Sequence, residues 1–160
     1  MSVSPVSRRT YRFATSFTLE APQARVHDVL LDLEHYCDWW PQVRAVGKLD
    51  DDHALVVCRS TLPYDLELLL TAVSRDDDVL EVGIDGPIRG WARFRLEESA
   101  GRPGGVETTT VVFEQEVQAV APAFVFASYV VKPLLVWNHQ RMMRGLVEGV
   151  RQPSEASTAS

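Results

Sequence analysis

Residues 90–120 read GWARFRLEESAGRPGGVETTTVVFEQEVQAV. In the first half Ala92, Phe94 and Leu96 alternate with Arg93 and Arg95. In the second half Thr109, Val111, Phe113, Gln115 and Val117 share one phase, and Glu114 and Glu116 fall in the other. A period of two sends successive side chains to opposite faces of a strand, so both segments predict strands with one apolar and one charged face. The connection from Ser99 to Gly105 carries three glycines and a proline, which suits an antiparallel hairpin. The charged faces can then meet as an Arg/Glu ladder, each pair contributing a few tenths to about 1 kcal/mol. The apolar faces are left to build a concave core surface. Gln115 is its polar exception.

Upstream the same pattern repeats. Strands are predicted at Val43–Leu49, Ala54–Leu62, Leu66–Ser74 and Val79–Asp85, joined by Asp50-Asp51-Asp52, Pro63-Tyr64-Asp65, Asp76-Asp77-Asp78 and Asp85-Gly86-Pro87. Val56, Cys58 and Ser60 make the inward set of their strand, with Arg59 outside. The Asp triplets read as solvated turn acids, because a calcium loop needs ligands at spaced positions and usually a bidentate Glu. Before this meander, Tyr11 to Ala21 alternates as a further strand, with Tyr11, Phe13, Thr15, Phe17 and Leu19 on one face. Pro22 suits the first turn of a helix carrying Val26, Val29, Leu30 and Leu33 at helical spacing. A second short helix, Glu34 to Trp39, is expected to end before Pro41.

After the meander the chain predicts helix. Pro122 fits a start, Pro133 a kink, and Leu135, Asn138, His139, Met142, Leu146 and Val150 form one stripe, apolar except for Asn138 and His139. Ala119–Trp137 (AVAPAFVFASYVVKPLLVW) approaches a membrane span in length. Its two prolines, Lys132 and the polar Asn138-His139-Gln140-Arg141 that follows favour a buried or cavity-lining helix. The expected organisation is a flexible arm over 1–10, one domain over 11–151 and a disordered tail over 152–160. The fold class is α+β: seven antiparallel strands, two short helices after the first, and a long C-terminal helix.

The 160 residues carry a net charge of −6, which argues against nucleic-acid binding, since phosphate recognition needs a basic face. Hydrophobic and charged fractions of 46% and 24% are those of a soluble globular protein. No apolar signal segment follows Met1, so a cytoplasmic protein with two free thiols, Cys37 and Cys58, and no stable membrane insertion is expected. His27, His35, His53 and His139 show no metal-ligand spacing, and no phosphate-cradling glycine loop or nucleophile elbow is present. No metal and no cofactor are expected.

Four motifs carry a resemblance. They are Asp32-Leu33-Glu34-His35-Tyr36-Cys37-Asp38-Trp39-Trp40-Pro41, Leu62-Pro63-Tyr64-Asp65-Leu66, Asp85-Gly86-Pro87-Ile88-Arg89-Gly90, and Lys132-Pro133-Leu134-Leu135-Val136-Trp137-Asn138-His139 followed by Met143 and Gly149. In this order they resemble bacterial SRPBCC proteins of the START-like superfamily, in the subgroup named polyketide cyclase/dehydrase. The resemblance runs from about Tyr11 to Arg151. It implies a helix-grip fold, a curved seven-stranded antiparallel sheet wrapped around a long C-terminal helix, with two short helices after the first strand and a cavity for a hydrophobic small molecule between the sheet and the C-terminal helix.

Within such a cavity the ligand-contact candidates are Tyr36, Trp39, Trp40, Phe94, Phe113, Gln115, Phe126, Tyr129, Asn138, His139 and Met142. His139 is the candidate catalytic residue, because an imidazole on an apolar stripe can donate a proton or a hydrogen bond to a ligand carbonyl. It can equally be a packed histidine satisfied by a backbone carbonyl or by Gln115. Tyr36, Trp39 and Trp40 can stack on a ligand at the mouth or simply cover the sheet as core. Three functions fit: a carrier or sequestering protein for a lipid-like or polyketide-like molecule, a cyclase/dehydratase moving protons through His139, Tyr129 or Tyr36, and a module presenting its aromatic end to a protein or membrane surface. Monomer and homodimer are both compatible. Sparse polar content on the concave face favours the first.

Overall fold

A computed structural model describes residues 10–59, 65–99, 103–120, 147–148 and 150. Strand β1 (Thr10–Leu19) leads into helix α1 (Gln23–Leu31), a 3-10 turn (Leu33–His35) and helix α2 (Tyr36–Trp39). The meander follows: β2 (Val43–Lys48), β3 (His53–Arg59), β4 (Asp65–Arg75), β5 (Val79–Asp85), β6 (Ile88–Ser99) and β7 (Thr108–Ala119). All seven strands form one antiparallel sheet in the order β1-β7-β6-β5-β4-β3-β2. Each of β2 to β7 therefore pairs with its sequence neighbour, and β1 crosses over to pair with β7.

Sequence patterning explains most of these elements. Pro22 caps α1 at its N-cap position, just outside the helix, and its carbonyl accepts from Arg25 and Val26 N–H. The buried side of α1 is Val26, Val29 and Leu30, at the 3–4 spacing expected of an amphipathic helix. Irregular pairing between Val43 and Ala45 and between Ala72 and Ser74 adds bulges to β2 and β4. Bulges sharpen local twist and bend, which helps the sheet to curve.

Several boundaries differ from the sequence expectation. The first strand begins at Thr10 and stops at Leu19 rather than Ala21. There the Ala21 carbonyl accepts the Thr109 hydroxyl at 2.8 Å instead of extending the ladder. The expected single helix Glu34–Trp39 is a 3-10 turn followed by one α turn, and Trp40 N–H closes on the Tyr36 carbonyl. Strand β3 is described only to Arg59, so the expected extension to Leu62 lies outside the described residues, as does Ser60. β6 extends beyond the Gly90–Glu98 expected from alternation at both ends, and β7 is shorter than the expected Val106–Val120. The long C-terminal helix, its Pro133 kink, the tail over 152–160 and all of the arm except Thr10 also lie outside the described residues. Val147, Glu148 and Val150 are helical, and Val150 is buried in the main core.

That core joins α1 and α2 to the sheet through Leu19, Val26, Val29, Leu30, Tyr36, Trp39, Val56, Leu80, Leu96 and Val111. A second cluster, Leu68, Ile84 and Val117, sits elsewhere on the same concave face, with Tyr11 and Phe13 packed against it. On the convex face the ladder forms as the alternation predicts. Arg93 lies 2.7 Å from Glu81 and 3.8 Å from Glu114, Arg95 is 2.9 Å from Glu114, and Arg12 is 2.6 Å from Glu116. These pairs are solvent-accessible, so each adds little stability. Their larger effect is on register, because a one-residue slip would turn them into the core.

Gly90 on β6 stands opposite Val117 on β7. A Cβ there would be driven into the Glu116 carbonyl and to 2.8 Å from Val117 Cα. Gly47 on β2 has nothing within 4 Å of the same position. Gly90→Ala is expected to cost about 3 kcal/mol, roughly a 6–12 °C fall in melting temperature, with Gly47→Ala near neutral. Thermal unfolding followed by circular dichroism checks both.

Candidate functional site

The concave face encloses a cavity of about 750 Å³. Its floor is the inward phase of six strands, including Val56 and Cys58 on β3, Leu68 and Leu70 on β4, Leu80 and Ile84 on β5, Ala92 and Phe94 on β6, and Phe113 and Gln115 on β7. One wall is the end of α1 and the segment after it, with Leu30, Leu33, Tyr36 and Trp40. The β2–β3 turn and the end of β4 supply a polar rim of Lys48, Asp50, Asp51, Asp52, His53 and Arg75.

The aromatic residues of the 32–41 segment come together. Tyr36 stands 4.7 Å from Trp39 and 5.4 Å from Trp40 between ring centroids, and the two indoles stack at 5.5 Å. Their roles differ. Trp39 is buried in the main core and is absent from the cavity wall, whereas Tyr36 and Trp40 line it. The Tyr36 hydroxyl donates to the Leu30 carbonyl at the end of α1, and burial pushes its phenol pKa well above the ordinary value. That bond ties α2 to α1 and makes the phenol a poor proton donor at neutral pH. Trp40 packs with Phe113, beside Phe94, whose ring lies 4.7 Å from that of Phe113.

Gln115 reaches the cavity wall, as the phase of β7 requires, between Phe13 on β1 and Ala92 on β6. Arg59 is exposed, outside the inward phase of Val56 and Cys58. Burial raises the Cys58 thiol to about 11, so it stays protonated and behaves as a small apolar wall group. Cys37 and Cys58 are both without a disulfide. Phe126, Tyr129, Asn138, His139 and Met142 lie outside the described residues.

Sequence reasoning missed most of the wall on β2, β4 and β5: Val46, Leu68, Leu70, Ala72, Val82 and Ile84 all contribute. Pairing supplies what alternation could not, since Leu70 opposes Ile84 and Ala72 opposes Val82 across one face. Among the described residues no group of three or more His, Cys, Asp or Glu side chains could hold a metal ion, and no helix is long and apolar enough to cross a membrane.

Charged groups beside the cavity are mostly paired. His53 Nδ1 lies 2.8 Å from Asp50, Arg75 is 2.9 Å from Asp52, and Lys48 is 3.9 Å from Asp51. The hydrogen bond from His53 holds the Asp50 carboxyl below its usual range. Beside Tyr36, His35 Nδ1 lies 2.7 Å from Asp32, and that hydrogen bond raises the imidazole pKa.

No family model matches the chain, and no curated protein does. Solved structures share its architecture. TTHA0849 from Thermus thermophilus is 18% identical at a TM-score of 0.73, over 88% of this chain and 97% of that one. A START superfamily protein from Mycobacterium smegmatis is 12% identical at 0.66, over 86% and 97%. The Zhui aromatase/cyclase from Streptomyces sp. R1128 is 12% identical at 0.67, over 89% and 94%. At these identities the likeness is one of fold, and the described part of that fold is the expected seven-stranded antiparallel sheet with short helices after its first strand.

His35 provides a direct test of the local electrostatics. Its raised pKa means that the Asp32 contact contributes stability in full below about 6.5, the unfolded value, and loses it as pH rises through the folded value. NMR titration should place the His35 midpoint above that of a model histidine. Asp32→Asn should bring it back, and an unshifted midpoint in the wild-type protein would refute the contact.

Proposed function

We propose that the protein binds an apolar small molecule, lipid-like or polyketide-like, in the cavity on the concave face of its sheet, and serves as a carrier or sequestering protein. The observation that carries this reading is the wall: six strands and the α1–α2 segment contribute Leu, Ile, Val, Phe and Trp side chains around about 750 Å³. That volume lies within the range of small-molecule pockets, which are mainly apolar with a few polar groups setting orientation. Each Å² of apolar surface removed from water contributes ~25 cal/mol, enough for micromolar binding of a two- or three-ring ligand. Among the described lining residues Gln115 is the amide, and Tyr36, a phenol of the aromatic group, has its hydroxyl committed to Leu30. A surface of this kind is suited to holding a molecule rather than to moving its protons.

The full chain should bind the neutral fluorophore N-phenyl-1-naphthylamine saturably, with enhanced, blue-shifted emission. Ala72 lies on the wall opposite Val82. Ala72→Phe fills part of the space and should weaken binding at least about tenfold without altering the far-ultraviolet circular dichroism. Native mass spectrometry of protein from its own host should also reveal a co-purifying apolar mass. Absence of saturable binding by the wild-type chain would overturn the proposal.

A further inference from the structure

We infer that Tyr11 and Gln115 together form a polar anchor that selects, among apolar ligands, those bearing an uncharged oxygen such as a ketone or hydroxyl. This rests on the binding reading above and names the chemistry the cavity prefers. The Tyr11 hydroxyl is buried and has no hydrogen-bond partner among the described residues. Buried hydroxyls nearly always have one, because leaving water without compensation is unfavourable. A missing partner on a residue beside a ligand cavity points to an atom that arrives with the ligand.

Register places Tyr11 next to Gln115. Tyr11 opposes Val117 on β7 and Phe13 opposes Gln115, so Tyr11 and Gln115 are diagonal neighbours on the concave face. Diagonal pairs stand about 7–8 Å apart, within reach of an aromatic side chain. Tyr11 packs against the cluster of Leu68, Ile84 and Val117, and the first two of these also line the cavity. In the same row Val117 and then Gly90 separate Tyr11 from Ile84, which lines the cavity. The paired neighbours of Gln115, Phe13 and Ala92, have hydrocarbon side chains that leave its amide to other partners.

The chemistry of the pair defines the ligand. A phenol donates one proton, and a primary amide offers two donors and one acceptor. Both can donate to a carbonyl oxygen, or the amide oxygen can accept from a hydroxyl while the phenol donates back. An anionic head group would lack a free counter-ion on the described wall, since Lys48 and Arg75 face Asp51 and Asp52. A neutral oxygen is therefore the better match.

Fluorene and 9-fluorenone are near-identical in shape and differ by a methylene against a ketone. Equilibrium dialysis of the full chain should find fluorenone bound roughly tenfold more tightly than fluorene, the effect of one or two hydrogen bonds. Tyr11→Phe should abolish most of that preference and leave fluorene binding unchanged. It should also leave the melting temperature of the ligand-free protein equal or higher, because it removes an uncompensated hydroxyl. Gln115→Met should reduce the preference as well. An unchanged fluorenone-to-fluorene ratio in Tyr11→Phe overturns the anchor while leaving apolar binding intact. A lower melting temperature of ligand-free Tyr11→Phe overturns it too, by showing that the hydroxyl serves the fold. Failure of both probes to bind wild-type protein overturns the binding reading itself.

Discussion

Pairing of β1 with β7 joins segments about a hundred residues apart: Arg12 meets Glu116 across 104 positions and Thr18 meets Thr110 across 92. The entropy of closing so long a loop rises only slowly with length, but it must be met before the contacts exist to offset it. Ten consecutive residue pairs then hold the register. Without this closure β7 would be an edge strand and the sheet a simple meander. With it, Phe17 and Leu19 are carried over to the main core, where α1 packs, and Tyr11 and Phe13 to the second cluster.

Two faces of the same strands then do different physical work. The convex face sorts registers through Arg93, Arg95, Glu81, Glu114 and Glu116, whose ion pairs are wet and individually weak. The concave face is apolar, and it carries both the stability and the cavity. These demands compete: core side chains such as Val26, Val29, Leu96 and Val111 contribute burial, whereas those beside the open space forgo part of it. Tyr36 mediates between them. Its ring lines the cavity and its hydroxyl ties α2 to the last turn of α1.

How far the sequence could be read depended on the strand. In β6 and β7 one face is charged, so Phe94, Phe113 and Gln115 could be assigned inward from alternation alone, and they line the cavity. In β4 the run Leu68-Leu69-Leu70 is apolar in both phases, and nothing local distinguishes the lining Leu68 and Leu70 from Leu69. Trp39 and Trp40 illustrate the same limit. Both belong to one motif, but one α turn and an extended Trp40 send the first into the core and the second to the cavity wall. Tyr11 was legible as an inward strand residue and not as an orphaned hydroxyl, because an unmet hydrogen bond depends on what the other strands bring near it.

Alternation, turn residues and proline placement were enough to specify seven strands, the helical segment after the first, and the charged and apolar faces of the last hairpin. Those are local properties, set by the backbone period of two and by residues that stop or start an element. The identity of the cavity wall, the commitment of the Tyr36 hydroxyl to Leu30 and the juxtaposition of Tyr11 with Gln115 are not local. They follow from the crossover of β1 onto β7 and from the curvature of the sheet, which bring together side chains that share no sequence neighbourhood.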